Sequence, residues 1–119
     1  MYYCPMQSNE LVKGTLSTII LTLLRENGRM YGYDITRLVK ERTEGKILIK
    51  EGSLYPALHK LSADGLIESE EEMIGKRVRV YYKLTTLGME RTQEKVKELI
   101  SFLDTIQTLI LTERPLSNA

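Results

Sequence analysis

The sequence predicts a mostly α-helical α+β domain with one small β-hairpin. Three patterns point there. Apolar residues return at offsets of three and four over residues 9–26, as on one face of a helix. From Leu66 the period shortens to two, with a glycine turn in the middle. From Thr86 to about Leu111 a seven-residue rhythm takes over. The predicted order is helix, helix, helix, hairpin, long helix.

The first helix, 9–26, can be capped by Ser8 or Asn9, and Glu10 suits the positive end of its dipole. Its apolar set is Leu11, Val12, Leu16, Ile19, Ile20, Leu23 and Leu24, and Asn27-Gly28 stops it. Tyr31-Gly32 turns the chain into a second helix, about 33–43, with Ile35, Leu38 and Val39 inward and Arg37, Lys40 and Arg42 outward. After the short apolar run Ile47-Leu48-Ile49, a third helix spans about 53–64. Gly52 is its hinge, Ser53 its cap and Pro56 lies in its first turn, where proline is tolerated; Leu54, Leu58 and Leu61 face inward. Two strands, 66–73 and 77–84, meet at Ile74-Gly75-Lys76. In the second, Val78, Val80 and Tyr82 alternate with Arg77, Arg79, Tyr81 and Lys83. In the long helix Met89, Thr92, Val96, Leu99, Leu103, Ile106 and Ile110 step alternately by three and four, the seam of a helix packed on a partner helix. The division expected is a tail at 1–8, a domain at 9–85, a dimerisation helix at 86–111 and a tail at 112–119.

Composition narrows the function classes. The 119 residues suffice for one domain with a real core. An apolar share of 42% is too high for a disordered chain, and 28% charged is too high for a membrane protein. One cysteine cannot form an intrachain disulfide. With the single histidine it offers two soft or imidazole ligands where structural zinc takes four, so no metal and no cofactor are expected. The longest apolar stretch, Leu16–Leu24, is broken by Ser17, Thr18 and Thr22 and is far below the roughly 20 residues that span a bilayer. The start MYYCPMQSNE lacks a basic region ahead of an apolar one. A cytoplasmic protein without a membrane partner is expected, with Cys4 a free thiol. Cys4 and His59 have no acid placed to orient them, and Glu70-Glu71-Glu72 alternate faces on a strand, so no enzyme is indicated.

Net charge, 17 basic against 16 acidic residues, says nothing about partners. Its distribution does. Residues 37–60 hold six basic side chains (Arg37, Lys40, Arg42, Lys46, Lys50, Lys60) against three acidic ones, and Lys76, Arg77, Arg79 and Lys83 crowd the hairpin. Glu68, Glu70, Glu71 and Glu72 on the first strand offset them. Two helices on a short connection, followed by a hairpin, describe a winged helix-turn-helix, whose second helix enters the DNA major groove. The segment EGSLYPALHKLSADGLI (51–67) then holds the recognition helix, with Ser53, Tyr55 and Pro56 in its first turn and His59 and Lys60 one turn on. The alternative is a winged-helix protein-interaction or dimerisation module without specific DNA binding.

The segments YGYDI (31–35), EGSLYPALHKLSADGLI (51–67) and GKRVRVYYKLTTLGMER (75–91) together resemble the PadR family of transcriptional regulators. The likeness covers roughly residues 10–110, and the single final helix resembles the smaller PadR subfamily. It implies a homodimer in which the last helix, with help from the first, forms the contact, with Val96, Leu99, Phe102, Leu103, Ile106 and Ile110 placed there. It also implies binding to a palindromic double-stranded operator, commonly as a repressor released by a small-molecule effector. DNA contacts fall on Ser53, Tyr55, Pro56, His59, Lys60, Lys76, Arg77 and Arg79, while Tyr31 and Tyr33 match the family's YGY. Some small regulators of this kind hold flat aromatic compounds between tryptophans at the dimer interface. This chain has no tryptophan, so a plain packed dimer core is the favoured expectation there, with an apolar effector pocket lined by Met89, Val96, Leu99 and Phe102 as the alternative.

Overall fold

The computed structural model describes residues 9–112. Its elements are α1 (Asn9–Asn27), β1 (Arg29–Tyr31), α2 (Gly32–Arg42), α3 (Glu51–Ala63), β2 (Ile67–Ile74), β3 (Arg77–Leu84) and α4 (Thr86–Leu111). Cys4 and Ser8 lie outside the described residues.

The helices form where the periodicity places them, because each buries an apolar stripe on a shared core. Val12, Leu16, Ile20, Leu21, Leu23 and Leu24 of α1 meet Ile35 and Val39 of α2, Leu54, Leu58 and Leu61 of α3, and Met30, Leu66, Ile67 and Tyr82 from around the sheet. Two residues depart from the predicted stripe of α1. Leu21 is fully buried and Leu11 is 65% exposed. The helix is enclosed on more than one side near its centre, which widens the buried face there and leaves its first turn in solvent. The helix stops as expected: the N–H of Gly28 reaches the carbonyl of Leu24 (2.8 Å), and Gly28 takes φ 81°.

Three local expectations are corrected. The strand β1 replaces the predicted turn before α2. It pairs antiparallel with β3 (Arg29 opposite Lys83, Met30 opposite Tyr82, Tyr31 opposite Tyr81), giving a three-stranded sheet in the order β1-β3-β2. Gly32 does not turn the chain by a positive φ. It is the first residue of α2, and a side chain there would meet the hydroxyl of Tyr55 at 2.9 Å. The helix α3 begins at Glu51, so Ser53 is not its cap; Lys50 takes that position without a side-chain bond. Pro56 is therefore a turn deeper than predicted and has no N–H to give the carbonyl of Gly52.

The hairpin β2–β3 runs in continuous register from Ile67 opposite Leu84 to Ile74 opposite Arg77, closed by Gly75 at φ 64°. Thr85 then ties the sheet to α4. Its N–H reaches the carbonyl of Leu66 (3.1 Å), its hydroxyl donates to the carbonyl of Gly65 (2.6 Å), and its Oγ1 accepts from the N–H of Gly88 (3.0 Å). One turn on, Thr92 is fully buried and donates to the carbonyl of Gly88 (2.6 Å). The near half of α4 lies against α1, where Val96 and Leu99 are half-buried. The far half leaves the domain: Phe102, Leu103, Leu109 and Ile110 are 59%, 50%, 71% and 69% exposed. This extension gives the chain its long axis of 69 Å against a thickness of 21 Å.

Candidate nucleic-acid interface

Strand pairing assigns the side chains of the sheet to two faces. Met30, Ile67, Val80, Tyr82 and Leu84 face the core. The outer face carries Arg29 and Tyr31 on β1, Arg77, Arg79, Tyr81 and Lys83 on β3, and Glu68, Glu70 and Glu72 on β2. A stack of rings and guanidinium groups crosses it. Arg29 lies 4.1 Å from the centroid of Tyr81, the Tyr81 and Tyr31 rings are 5.9 Å apart, and Arg79 lies 4.8 Å over Tyr31. Tyr33 at the start of α2 adds a further ring 6.5 Å from Tyr31.

The carboxylates of β2 are arranged on the same face. Arg29 bonds Glu72 (2.7 Å) and Glu70 (3.3 Å), and Lys83 pairs with Glu70 (3.0 Å). Lys83 and then Arg29 hold the Glu70 carboxyl below the usual carboxylate range, and Glu70 in turn raises Lys83. The hydrogen bonds that Arg29 donates to Glu72 and Glu70 raise its own pKa likewise. Among the described residues, no ion pair engages Lys76, Arg77 or Arg79.

On α3, Gly52, Pro56, His59 and Lys60 are exposed and Ser53 is half-buried. Two depressions flank them. One, of about 300 Å³, is lined by Tyr31, Tyr33, Glu51, Tyr55 and Arg79, so it joins the start of α3 to the outer face of the sheet. The other, of about 420 Å³, lies between α1 and α3 and is lined by Lys13, Ser17, Ser53, Pro56 and Lys60. The predicted contacts therefore divide. Arg79 and Tyr55 border the first depression, Ser53, Pro56 and Lys60 border the second, and Lys76 and Arg77 stand at the wing end. Tyr55 is less available than its sequence position suggests. It packs on the core with its hydroxyl at Gly32, and burial first, then Glu51 and Tyr31, push that hydroxyl upward in pKa.

Several basic residues of the 37–60 stretch are already engaged. Arg37 pairs with Glu41 (2.8 Å) and Asp34 (3.6 Å), Arg42 with Glu26 (2.6 Å), and Lys60 with Asp64 (3.6 Å). Sequence reasoning missed Lys13 and Arg29. Arg29 had a signal: Glu68, Glu70 and Glu72 share one face of a strand, which calls for cations opposite them.

The α4 residues named for dimer and effector roles also divide. Val96 and Leu99 join Thr18, Ile19, Thr22, Leu23 and Ile100 around an apolar cleft of about 260 Å³ between α1 and α4. Met89 and Phe102 do not line it. Phe102, Leu103 and Ile110 lie on the free half. Among the described residues, no helix is long and apolar enough to cross a membrane.

Comparison with known proteins connects this arrangement to a family. The model of the transcriptional regulator PadR-like family matches residues 20–94, from the middle of α1 through the wing into α4. An uncharacterised protein of Lysinibacillus sphaericus is 36% identical over 96 residues, covering 78% of this chain and 85% of that protein. A transcriptional regulator from Clostridium thermocellum superposes with a TM-score of 0.77 at 32% identity, over 84% of this chain and 97% of its own. A PadR family transcriptional regulator from Eggerthella lenta gives 0.75 at 31% identity, over 87% and 88%. Bacillus subtilis PadR, solved in complex with operator DNA, gives 0.63 at 34% identity; it covers 69% of this chain, which spans 46% of that longer protein. With the winged-helix architecture, the wing and the long final helix all in place, the chain belongs to the PadR-like family of transcriptional regulators.

Proposed function

We propose that this chain acts as a homodimeric, sequence-specific DNA-binding regulator, a cytoplasmic repressor of a palindromic operator. The observation that carries the reading is the α3–wing surface. An exposed edge of α3 stands beside a wing whose end cations, Lys76, Arg77 and Arg79, have no carboxylate partner among the described residues. A helix of this kind enters the major groove, and lysines and arginines beside it neutralise phosphates and set the register. In this reading Ser53, Pro56, His59 and Lys60 face the groove, Tyr55 presents only its exposed edge, and the wing meets the backbone. The complex of Bacillus subtilis PadR with operator DNA supports it.

The dimer reading is supported by the free half of α4, whose exposed Phe102, Leu103 and Ile110 continue the seam that Val96 and Leu99 begin. Two copies joined there would set two recognition helices about one DNA turn apart, roughly 34 Å. The cleft between α1 and α4 is where a small apolar effector would act, by changing how α4 leaves the domain.

The test is competition binding of a duplex carrying the inverted repeat from the gene's own promoter against a scrambled duplex, over a salt series. About four basic residues per subunit (Lys60, Lys76, Arg77 and Arg79) give roughly eight phosphate contacts per dimer, and log affinity falls with log salt at a slope near −7. Lys76→Ala/Arg77→Ala weakens both duplexes alike and flattens that slope by about 3.6. Absence of duplex binding at physiological salt refutes the reading in favour of a protein-interaction module.

A further inference from the structure

The outer face of the sheet sorts its cations into two sets. Arg29 sits on β1 and its partners Glu70 and Glu72 on β2, with β3 between them. To reach them the guanidinium lies across the middle strand, on the ring of Tyr81. Lys83, directly opposite Arg29 in the register, turns to Glu70, so one carboxylate separates two cations that would otherwise repel across the strands. Arg79, four residues before Lys83 on β3, lies over the face of Tyr31, with Tyr81 as its hydrogen-bond partner, and no ion pair among the described residues holds it away from a ligand. All four members of the ion-pair network are about two-fifths exposed, so they stand on the surface and not in the core.

We infer that Glu70 and Glu72 set the affinity and salt dependence of DNA binding: they hold Arg29 and Lys83 away from phosphate and confine the wing's phosphate-binding charge to Lys76, Arg77 and Arg79. The inference rests on the DNA-binding reading above. Its physical basis is that every cation free to displace counterions strengthens binding to any sequence and steepens its dependence on salt. Two more free cations per subunit would raise the affinity for specific and non-specific DNA alike and hold the protein on non-operator DNA at higher salt. The carboxylates on β2 prevent this, while Arg79, directly opposite Glu72 in the register, stays outside their ion pairs.

A mechanical role for the same network, stapling β1 to β2 across β3, makes a different prediction, and the experiment separates the two. The full-length wild type, Glu72→Gln, Glu70→Gln/Glu72→Gln and that double variant with Arg29→Gln are titrated against scrambled and inverted-repeat duplexes across a salt series, with thermal midpoints measured in parallel. Glutamine keeps the shape and a hydrogen bond, and Glu72→Gln alone leaves Glu70 to pair with Lys83. Removing both carboxylates is expected to tighten binding to the scrambled duplex by about tenfold or more. It also steepens the salt slope by about 1.8 if Arg29 alone is recruited in each subunit of a dimer, and by about 3.6 if Lys83 follows. Adding Arg29→Gln returns about 1.8 of that slope. Scrambled-duplex affinity and slope that stay at the wild-type values, with the midpoint lowered or not, overturn the inference and leave a staple. Wild-type protein that binds neither duplex overturns the DNA-binding reading, and this inference with it.

Discussion

Substituting Gly88 by alanine tests the joint between the winged domain and the long helix. Gly88 lies in the first turn of α4 against the backbone of Leu66. A Cβ built there would lie 2.9 Å from the carbonyl carbon of Leu66, closer still to its oxygen, and 3.3 Å from Cδ2 of Leu84. Carbon atoms settle at about 3.5–4.0 Å, and the obstacle is backbone, so the start of α4 must retreat by roughly 0.6 Å or more. Overpacking of this kind costs about 1–3 kcal/mol. The retreat also strains the two bonds by which Thr85 holds Gly65 and Leu66, at about 0.5–1.5 kcal/mol each. Alanine returns about 0.5–1 kcal/mol through its better helix propensity. The net loss is about 1–5 kcal/mol, or a fall in Tm of about 3–30 °C for a domain of this size. Circular dichroism melts at one fixed protein concentration measure it, since association makes Tm depend on concentration. Gly14→Ala is the matched control: a Cβ on this exposed glycine of α1 meets nothing within 4 Å, so stability should rise by about 0.5–1 kcal/mol. A Gly88→Ala midpoint within about 2 °C of wild type would refute the reasoning, since a loss of even about 1 kcal/mol moves it by about 3 °C or more.

Two other outcomes are expected. Leu103→Asp, on the half of α4 that stands free of its own domain, should leave the fold intact and convert dimers to monomers in analytical ultracentrifugation. Burying a carboxylate in each subunit costs several kcal/mol per ion, enough to weaken association by more than about a thousandfold, so an unchanged dimer would remove the seam from consideration. Acidification should loosen the sheet through Glu70, whose carboxyl Lys83 and Arg29 hold below its ordinary range. A depressed folded pKa means the stabilisation is complete above the ordinary carboxylate value of about 4 and is lost as pH falls through the lowered value. Melting curves of wild type and Glu70→Gln should therefore converge on acidification, and curves that stay parallel to the lowest pH would exclude that contribution.

The helices were legible because each repeats one chemical choice over several turns. The heptad of α4 and the alternation of β3 were written as plainly, and both elements have the predicted bounds. Strand β1 was not legible, because Arg29-Met30-Tyr31 is too short to show a period and is extended only because β3 offers it an edge. Leu21 escaped for a related reason: it lies off the main stripe of α1, and its burial depends on neighbours from distant parts of the chain. The candidate DNA-facing residues could be named from the sequence, but not the distinction among them. That Tyr55 is held against Gly32, that Lys60 pairs with Asp64 and that Arg29 crosses β3 all depend on strand order and helix packing, which one-dimensional spacing does not encode.

The length of α4 sets a mechanical scale. Twenty-six residues at about 1.5 Å each make a rod of about 39 Å, anchored at one end by the Thr85–Gly88 turn. A tilt of about 5° at that anchor swings the far tip by roughly 3 Å, comparable with the rise of one base pair, about 3.4 Å. The rod is thus a lever with its fulcrum at the wing. Anything that wedges open the contact between α1 and α4 by a fraction of an ångström is magnified at the tip, and anything that grips the tip is felt, geared down, at the sheet.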